Sequence, residues 1–414
     1  MAANKRRRSE DIIAVDRLSD LPDEVLGHIL SFLPTKKGVQ TSVLSKRWKG
    51  VFSLATGLEF NDCHKATPFI NFVDRVLSLH KVSIGRFKLN FRSMDQSDVS
   101  CVNAWIASAL SLRAQELDLV LRYQMDDMTQ HKLFSSCMIS VLRLEYCYDL
   151  AILKVPMSVC LSSLSVLELV NIIFPDVDST KRLFLGCSSL KDLTMFNCKW
   201  MDGEVYDVYC AKLRNLRIGF GYHKYRETPT IVLDLPDMVY FKCFSAPWEL
   251  YQMKNRDLIC TAELHLLVPY EALHRKGLIQ LIRELSNFKV LRLLGNSLEA
   301  ISRIKPSELP TFVTLSRLEV GTSCGYKRRG WRRLPKLIAR SPMLETLVFK
   351  EGLDTCYNDL AFFLEEQKTP FSTNHITIQV DRYRGSKKEW RMVKLFLDSA
   401  AFNVKQLIVN NAKI

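Results

Sequence analysis

Cysteine is the residue type in this chain that could most readily carry chemistry. The 414 residues include 12 cysteines, enough in number for a zinc site or a disulfide framework. No two of them form the C-x-x-C pair that structural zinc sites typically use. The sequence therefore gives no support for a metal site. We expect the thiols to be reduced, because the N-terminus has no apolar segment of the kind that secretory signals need.

Two common catalytic patterns are absent from the sequence. It contains no G-x-x-x-x-G-K-[ST] phosphate loop and no H-E-x-x-H zinc helix. Its 8 histidines are isolated from one another. His28 lies in a short helical pattern, where we expect it to face solvent. We therefore predict a protein with no catalytic residue, no resident cofactor and no metal.

Basic residues outnumber acidic ones along the chain. Lys and Arg total 58 against 44 Asp and Glu, which gives a formal charge of +14 and suits an acidic partner or a nucleic acid. Nucleic acid is disfavoured, because the cations are scattered and no nucleic-acid-binding motif accompanies them. The densest patch beyond the N-terminus is interpreted either as a solvated loop and helix face or as a site for an acidic partner. It comprises Lys327, Arg328, Arg329, Arg332 and Arg333.

The N-terminus is charged and polar, with a basic run from Lys5 to Arg8. We expect a disordered tail over residues 1–14, which serves either nuclear import or only solubility. No segment approaches the roughly 18 uninterrupted apolar residues of a membrane-spanning helix. These features predict an intracellular protein of the nucleus, the cytoplasm or both.

A strand-like L-x-L phrase recurs from about Gln115 onward. Its first leucines are 23 to 29 residues apart, with one gap of 48 that accommodates a degenerate copy near Val239. This period predicts an irregular leucine-rich-repeat solenoid, in which stacked neighbours complete a core that no single repeat can bury. The first leucines are Leu117, Leu142, Leu167, Leu193, Leu216, Leu264, Leu291, Leu318 and Leu347.

Several cysteines recur at fixed phases of this period. Cys147 and Cys198 follow L-x-L at the position where asparagine or cysteine is usual. A second set precedes the next L-x-L phrase. It comprises Cys137, Cys160, Cys187 and Cys210. Because they recur with the repeat, we interpret these cysteines as small buried packing residues rather than as metal ligands or disulfides.

Apolar spacing also predicts the elements near the C-terminus. The stretch GWRRLPKLIA predicts a helix on the outer side of the repeats, with Trp331 in the core. From His375 onward the sequence predicts strand, turn, helix and strand, with Gly385 at the turn. We expect this unit to cap the last repeat, whose apolar surface would otherwise be exposed. The residues expected on one face of its helix are Trp390, Val393, Phe396 and Leu397.

The stretch LPDEVLGHILSFLP, residues 21–34, is apolar around most of one short helix. Pro22 suits its first turn, where Asp23 and Glu24 favour the positive end of the helix dipole. Pro34 ends the helix, and TKKGVQTSVLSKRWKGVF predicts a second helical region. About 40 residues cannot bury this much apolar surface alone. Either the repeats or another protein must therefore cover it.

Residues 17–52 resemble an F-box. The matching features are the Leu21-Pro22 pair, the apolar stripe that follows, the Leu33-Pro34 stop and the phrase TSVLSKRW. Together with the repeats, the C-terminal unit and the phrases WIASALSLRAQELDLVL and SPMLETLVF, they make the whole chain similar to the plant F-box/LRR/FBD family. Gly38 departs from a helix-favouring sequence, where a better helix former would gain about 1 kcal/mol.

The resemblance implies an α/β chain in four parts. These are a basic tail at 1–14, a three-helix F-box at 15–60, a leucine-rich-repeat solenoid at 61–340 and an FBD-like strand–helix–strand cap at 341–414. It further implies that the F-box binds the Skp-type adaptor of an SCF cullin–RING ubiquitin ligase and that the solenoid binds a protein substrate. The residues implied for adaptor binding, or for packing of the F-box itself, are Leu21, Pro22, Val25, Leu26, Ile29, Leu30, Leu33, Pro34, Val43, Leu44 and Trp48.

Two alternatives remain open on the sequence alone. The chain could be a repeat scaffold outside any ligase, with N-terminal helices that only cap the solenoid. An enzyme concealed in the repeats is disfavoured, because a solenoid lacks the usual deep pocket.

Overall fold

The computed structural model of the chain contains helices and strands that alternate along the sequence. The predicted tail at 1–14 lies outside the described residues. The residues described are 18, 20–61, 66–80, 82–92, 95–201, 203–219, 221, 227–245, 249–254, 261–267, 272–321, 331, 333–354, 356, 360–361, 364, 375–398 and 402–411.

The described residues form α-helices from the N-terminal module to the segment before the last strand. Short 3-10 helices lie at Thr41–Val43, Gln96–Asp98 and Leu285–Asn287. The α-helices are α1 (Asp23–Leu30), α2 (Thr35–Gln40), α3 (Lys46–Phe52), α4 (Ala66–Leu79), α5 (Val99–Ser111), α6 (Asp127–Phe134), α7 (Val177–Gly186), α8 (Ala272–Glu284), α9 (Ser297–Ser302), α10 (Leu334–Ala339) and α11 (Lys387–Asp398).

The strands are short and most have five or six residues. They are β1 (Gly57–Asn61), β2 (Arg86–Phe91), β3 (Glu116–Leu121), β4 (Val141–Tyr146), β5 (Ala151–Ile152), β6 (Val166–Val170), β7 (Ile172–Phe174), β8 (Asp192–Phe196), β9 (Lys199–Trp200), β10 (Val205–Tyr209), β11 (Asn215–Gly219), β12 (Thr230–Asp234), β13 (Tyr240–Phe244), β14 (Leu250–Lys254), β15 (Thr261–His265), β16 (Val290–Leu293), β17 (Arg317–Val320), β18 (Thr346–Phe349), β19 (His375–Tyr383) and β20 (Asn403–Asn411).

One large parallel sheet organises the described chain. Its 14 strands follow each other across the sheet in the same order as along the chain, β1-β2-β3-β4-β6-β8-β11-β13-β15-β16-β17-β18-β19-β20. Two smaller parallel sheets, β5-β7-β9 and β10-β12-β14, are formed by strands from the connections between these main strands. Each main strand therefore contacts the strand of the preceding and the following segment, which makes the sheet an ordered stack.

The recurring leucines lie in register across this sheet. Leu117 pairs with Leu142, and the row continues through Leu167, Leu193 and Leu216. All five side chains are fully buried, at 0% exposure. Because alternate residues of a strand point to the same face, this row and the residues two positions further on form one continuous apolar layer behind the sheet.

The sequence pattern identified most strands of this row but misplaced one. The degenerate copy predicted near Val239 is β13, where Phe241 takes the leucine position. In β15 the predicted phase is wrong. Ala262, not Leu264, continues the row, because Ala262 pairs with Phe241 on one side and with Leu291 on the other. The L-x-L pattern selects Leu264 because it recognises leucine and not alanine, although the side chains of Ala262 and Leu264 are both buried.

The C-terminal residues form strand, helix and strand, and β19 and β20 extend the main sheet in parallel. The predicted helical face is only half right. Val393 and Phe396 are buried, but Trp390 and Leu397 are 63% and 57% exposed. Glu389 is buried on this face, where its carboxylate accepts hydrogen bonds from the backbone N–H groups of Leu353, Arg384 and Ser386.

The repeat cysteines among the described residues differ in their packing, and Cys147 is only half-buried. Cys187, Cys198 and Cys210 are buried, as their phase predicts, and burial raises the pKa of the Cys198 and Cys210 thiols to about 12. Both thiols therefore stay protonated and pack as small apolar groups. The packing prediction is wrong for Cys137 and Cys160, which form a disulfide with Cα atoms 5.3 Å apart. Cys137 and Cys160 also recur with the repeat and lie on neighbouring segments, but Cys137 is exposed.

The leucine row supplies a test of this core. Replacing Leu193 with alanine should lower the free energy of unfolding by about 2–5 kcal/mol, because it removes fully buried methyl groups and leaves a cavity. Leu185→Ala is the matched control, since Leu185 is 53% exposed and its truncation should change stability by at most about 0.5 kcal/mol. Urea unfolding followed by circular dichroism measures both. Equal midpoints for the two variants would contradict the assigned core.

Candidate functional site

Helix α1 divides its apolar side chains between two faces. Leu26 and Leu30 are buried, at 0% and 2% exposure, whereas Val25 and Ile29 are 43% and 39% exposed. The two pairs are each four residues apart, so each lies along one side of the helix. One side of α1 therefore belongs to the core of the protein, and the other faces solvent.

Two glycines, Gly27 in α1 and Gly38 in α2, allow close packing within the N-terminal module. A Cβ atom at Gly27 would lie 2.9 Å from the Cβ of Leu54, and one at Gly38 would lie 3.0 Å from the Phe52 ring. Both contacts are closer than real Cβ contacts usually are. Gly38 therefore lowers helix propensity in α2 but lets the Phe52 ring approach, which explains its departure from a helix-favouring sequence.

Hydrogen bonds fix the three N-terminal helices against the start of the main sheet. The Thr35 hydroxyl accepts a bond from the Glu59 N–H at 2.6 Å, and the Ser31 hydroxyl accepts one from the Thr56 N–H at 2.8 Å. The ring of His80 hydrogen-bonds the Ala55 carbonyl through Nε2 at 2.6 Å. These bonds set the orientation of α1 and α2, so the solvent-facing side of α1 is a fixed feature.

Several other apolar side chains of this region are exposed. Val43 and Leu44, in the turn after α2, are 89% and 69% exposed, and Phe32 is 70% exposed. We refer to the following residues together as the exposed apolar set: Val25, Ile29, Phe32, Leu33, Val43 and Leu44. Scattered exposed leucines are normal on a protein surface, but several within 20 residues of one small module indicate an interaction site.

The eleven residues that the sequence proposed for adaptor binding differ in their exposure to solvent. Leu26 and Leu30 are enclosed in the core and have no surface to offer a partner, so their role is to pack α1. Leu21 and Trp48 are half-buried against the core. The other members are exposed. They are Pro22, Val25, Ile29, Leu33, Pro34, Val43 and Leu44. Phe32 was missing from that set, although it widens the apolar stripe of residues 21–34.

Arg47 connects helices α1 and α3. Its guanidinium lies 2.7 Å from the Asp23 carboxylate and also donates to the Leu21 carbonyl. The side chains of Arg47 and Asp23 are 39% and 48% exposed, so the pair contributes only about 0–1 kcal/mol. Its main effect is to keep the N-terminus of α1 beside α3.

The outer face of the main sheet carries a row of charged side chains in register, which we call the charge row. From β1 to β17 its members are Glu59, Lys88, Asp118, Arg143, Glu168, Thr194, Arg217, Lys242, Glu263, Arg292 and Glu319. Opposite charges on neighbouring strands attract each other, and the sign alternates from Glu59 to Glu168 and from Lys242 to Glu319.

The alternation is broken once, at the centre of the sheet. Thr194 is uncharged, and Arg217 and Lys242 are paired neighbours of like charge. Two residues further along the same strands lie Phe196 and Phe244, whose ring centroids are 6.5 Å apart. Gly219 lies between them in register, and a Cβ atom there would collide with the Phe196 ring. The break therefore combines two cations with a partly exposed aromatic surface.

Comparison with known proteins identifies the N-terminal module and the whole chain. The family model of the F-box domain matches residues 18–54, which include α1, α2 and α3. A putative F-box/FBD/LRR-repeat protein of Arabidopsis thaliana is 30% identical over 446 residues, covering 97% of this chain and 84% of the relative. The chain belongs to the F-box/FBD/LRR-repeat family. This membership confirms the resemblance seen in the sequence.

Other relatives agree with this assignment. An Arabidopsis thaliana F-box protein is 30% identical over 427 residues, with 93% of this chain and 84% of the relative covered. A putative F-box/LRR-repeat protein of the same plant is 29% identical, with 92% and 90% covered. The similarity to this family thus extends well beyond the F-box into the region of the main sheet.

Among the described residues, the F-box/FBD/LRR-repeat chain contains no group of three His, Cys, Asp or Glu side chains placed to hold a metal ion. No described helix has the length and apolar character needed to cross a bilayer. Of the predicted acidic-partner patch, Lys327, Arg328, Arg329 and Arg332 lie outside the described residues. Arg333 is half-buried at the start of α10, so the patch stays a prediction.

Glu263 is the most highly connected member of the charge row. Its carboxylate lies 2.7 Å from the Lys242 ammonium, 2.9 Å from the His265 ring and 3.5 Å from the Arg292 guanidinium. Burial alone would raise its pKa, but hydrogen bonds from Lys242, His265 and Tyr240 outweigh burial and lower the pKa to about 2. The carboxylate therefore stays ionised in the folded protein over most of the acidic range.

This low pKa predicts a pH-dependent effect of Glu263→Gln. Because the folded-state pKa lies below the ordinary value of 4.5, ionised Glu263 stabilises the fold above about pH 4.5, and this contribution is lost as the pH falls towards 2. The variant should lose about 1–3 kcal/mol at pH 7, and the loss should shrink below pH 4.

Urea unfolding at several pH values measures the difference. Glu168→Gln is the matched control from the same row, because Glu168 has a single 3.4 Å ion pair with Arg143 and is 39% exposed. It should cost less than about 1 kcal/mol at any pH. A loss for Glu263→Gln that does not change with pH would contradict the role assigned to this carboxylate.

Proposed function

We propose that this protein is a substrate-recognition subunit of an SCF-type cullin–RING ubiquitin ligase. F-box proteins with leucine-rich repeats generally serve as substrate adaptors of such ligases, and this chain belongs to that family. In this role the F-box binds the Skp-type adaptor and the rest of the chain binds a protein substrate. The observation that carries the proposal is the exposed apolar set on the F-box.

The exposed apolar set has the composition of an interaction surface. Apolar area removed from water contributes roughly 25 cal/mol per Å², and a few buried apolar anchors usually supply most of the binding energy. Val43 and Leu44, at 89% and 69% exposure, are the best-presented candidates for such anchors. The half-buried Leu21 and Trp48 would border them and limit the access of water.

The main sheet supports the second half of the proposal. We interpret its 14 parallel strands, stacked in chain order with leucines in register, as the leucine-rich-repeat solenoid of this family. Such a solenoid leaves the outer face of the sheet open to a partner. The break in the charge row is the part of this face that combines exposed aromatic rings with cations, and we propose that the substrate binds there.

The proposed role needs no catalytic group in this chain. Ubiquitin transfer would take place on the RING subunit and its conjugating enzyme, and this protein would act by holding the substrate nearby. Holding two reactants together raises the effective concentration of substrate lysines at the charged enzyme. The formal charge of +14 favours association with an acidic substrate.

The alternative is a repeat scaffold outside any ligase, in which the N-terminal helices only cap the sheet. The buried pair Leu26 and Leu30 suits such a cap. The exposure of Val25, Ile29 and Val43 disfavours it, because a cap is expected to present a polar outer face.

The proposal predicts the effect of charges placed on the F-box surface. The double substitution Val43→Glu and Leu44→Glu should abolish capture of the Skp-type adaptor, because it places two carboxylates in an apolar contact. Both side chains are solvent-exposed, so the fold should remain intact. Co-purification of co-expressed adaptor with the tagged full-length chain measures binding, and circular dichroism confirms folding.

Met157→Glu combined with Met343→Glu is the control for this experiment. Both methionines are exposed, at 84% and 54%, and both lie outside the F-box. The control should capture as much adaptor as the unmodified chain. If the F-box double variant also captured the adaptor fully, the proposed role in a ligase would be wrong.

The sheet face predicts a different phenotype. Phe196→Ala combined with Phe244→Ala should leave adaptor capture unchanged but reduce several-fold the recovery of proteins that accumulate on the chain when the proteasome is inhibited. Tyr209→Ala is the control, since Tyr209 is 45% exposed but belongs to a smaller sheet. Quantitative mass spectrometry of purified complexes reads both effects. If the phenylalanine variant recovered an unchanged set of proteins, the substrate would not bind at this surface.

A further inference from the structure

A polar pocket lies at the carboxyl ends of strands β3 and β4. Arg122 directly follows β3, and residues after both strands surround a pocket of about 360 Å³. Its polar lining includes Gln96, Arg122, Gln124, Tyr146 and Asp149. The volume falls within the usual range of small-molecule sites, roughly 300–1,000 Å³. The pocket belongs neither to the F-box nor to the charge row.

Arg122 is held between aromatic rings rather than by an acidic partner. Its guanidinium carbon lies 4.3 Å from the centroid of the Tyr148 ring and 5.6 Å from that of Tyr123. The Nη1 atom is buried and has no hydrogen-bond partner. By contrast, Arg143 and Arg292 on the sheet face each pair with a glutamate.

A buried guanidinium nitrogen without an acceptor is costly. Leaving a buried donor unpaired costs about 1–3 kcal/mol, and more when the group is charged. Buried polar groups without a partner in a folded protein therefore call for a specific explanation. The planar fork of arginine matches a carboxylate in a two-bond geometry, and stacking on tyrosine fixes the plane of that fork. Arg122 therefore lines the pocket with its guanidinium beside Tyr148 and without an acidic partner among the described residues.

The neighbouring side chains narrow the chemistry of the ligand. The Tyr146 hydroxyl accepts a bond from the Met125 N–H at 3.5 Å, which leaves its own O–H to donate. The Gln124 carbonyl oxygen accepts from the Ile152 N–H at 3.0 Å, which leaves the Gln124 amide as another donor. The pocket lining therefore carries hydrogen-bond donors, among them the Arg122 guanidinium and the Gln124 amide, which suit an anion.

Asp149 adds the opposite requirement. It is exposed and lines the same pocket, so it repels a ligand that is only an anion. A ligand that also carries a hydroxyl or ammonium group could donate a hydrogen bond to Asp149. The pocket thus selects for a donor group close to the carboxylate.

We propose that this pocket binds a small polar carboxylic acid, with its carboxylate on Arg122 and a neighbouring hydroxyl or amino group on Asp149. The assignment does not depend on the ligase role. Such a ligand would lie at the carboxyl ends of β3 and β4, next to the outer face of the sheet. A partner bound to that face could contact it.

Titration calorimetry on the full-length chain tests the proposal with three probes: L-lactate, L-lactamide and propionate. Lactate should bind more tightly than lactamide, which lacks the negative charge, and more tightly than propionate, which lacks the hydroxyl. Arg122→Gln should weaken lactate binding at least tenfold, because a charge-assisted pair is lost. Arg122→Lys should retain part of the affinity, and Arg143→Gln should retain all of it.

Asp149→Asn separates the two halves of the site. This variant should remove most of the preference for lactate over propionate without removing the preference for lactate over lactamide. Equal binding of acid and amide, no binding of lactate to the unmodified chain, or unchanged binding in Arg122→Gln would each overturn the proposal. Adaptor capture by Arg122→Gln should be unchanged, which keeps this test independent of the ligase test.

Discussion

Helix α1 carries apolar side chains on two adjacent faces, and the protein's own core covers only one of them. Leu26 and Leu30 pack inward, while Val25 and Ile29 face solvent with Val43 and Leu44 nearby in sequence. Gly27 and the hydrogen bonds that the Ser31 and Thr35 hydroxyls accept from backbone N–H groups fix this arrangement, because they leave α1 no room to turn its other face inward. The apolar F-box surface is therefore available to another protein, and the proposed ligase role follows from that availability.

The rest of the structure depends on a second regularity, the stacking of parallel strands in chain order. A strand that buries alternate leucines on one face must present the intervening residues on the other. Here those residues are mostly charges of alternating sign, which satisfy one another across neighbouring strands. The place where alternation fails, between Thr194 and Lys242, is also where Phe196 and Phe244 are available. The same repeat that stabilises the core thus leaves a defined surface for recognition.

Sequence reasoning recovered the features that depend on period and missed those that depend on local geometry. Leucine spacing predicted β3 and β4 because buried side chains must recur with the strands. It misplaced β15, where alanine fills a leucine position, and it did not anticipate the contact between Cys137 and Cys160. It predicted the F-box residues as one set, but an apolar residue looks the same in sequence whether it faces the core or a partner. No sequence pattern predicted the Arg122 pocket, because its lining residues come from three separate segments.

Hydrogen–deuterium exchange of the full-length chain, with and without purified Skp-type adaptor, tests the central claim most directly. Peptides spanning residues 20–54 should exchange more slowly when the adaptor is present, with the strongest protection around Val43 and Leu44, whereas peptides from β3, β4 and β6 should be unaffected. If residues 20–54 exchanged at the same rate in both samples while the adaptor remained in excess, the exposed apolar set would not be its binding surface, and the account would be contradicted.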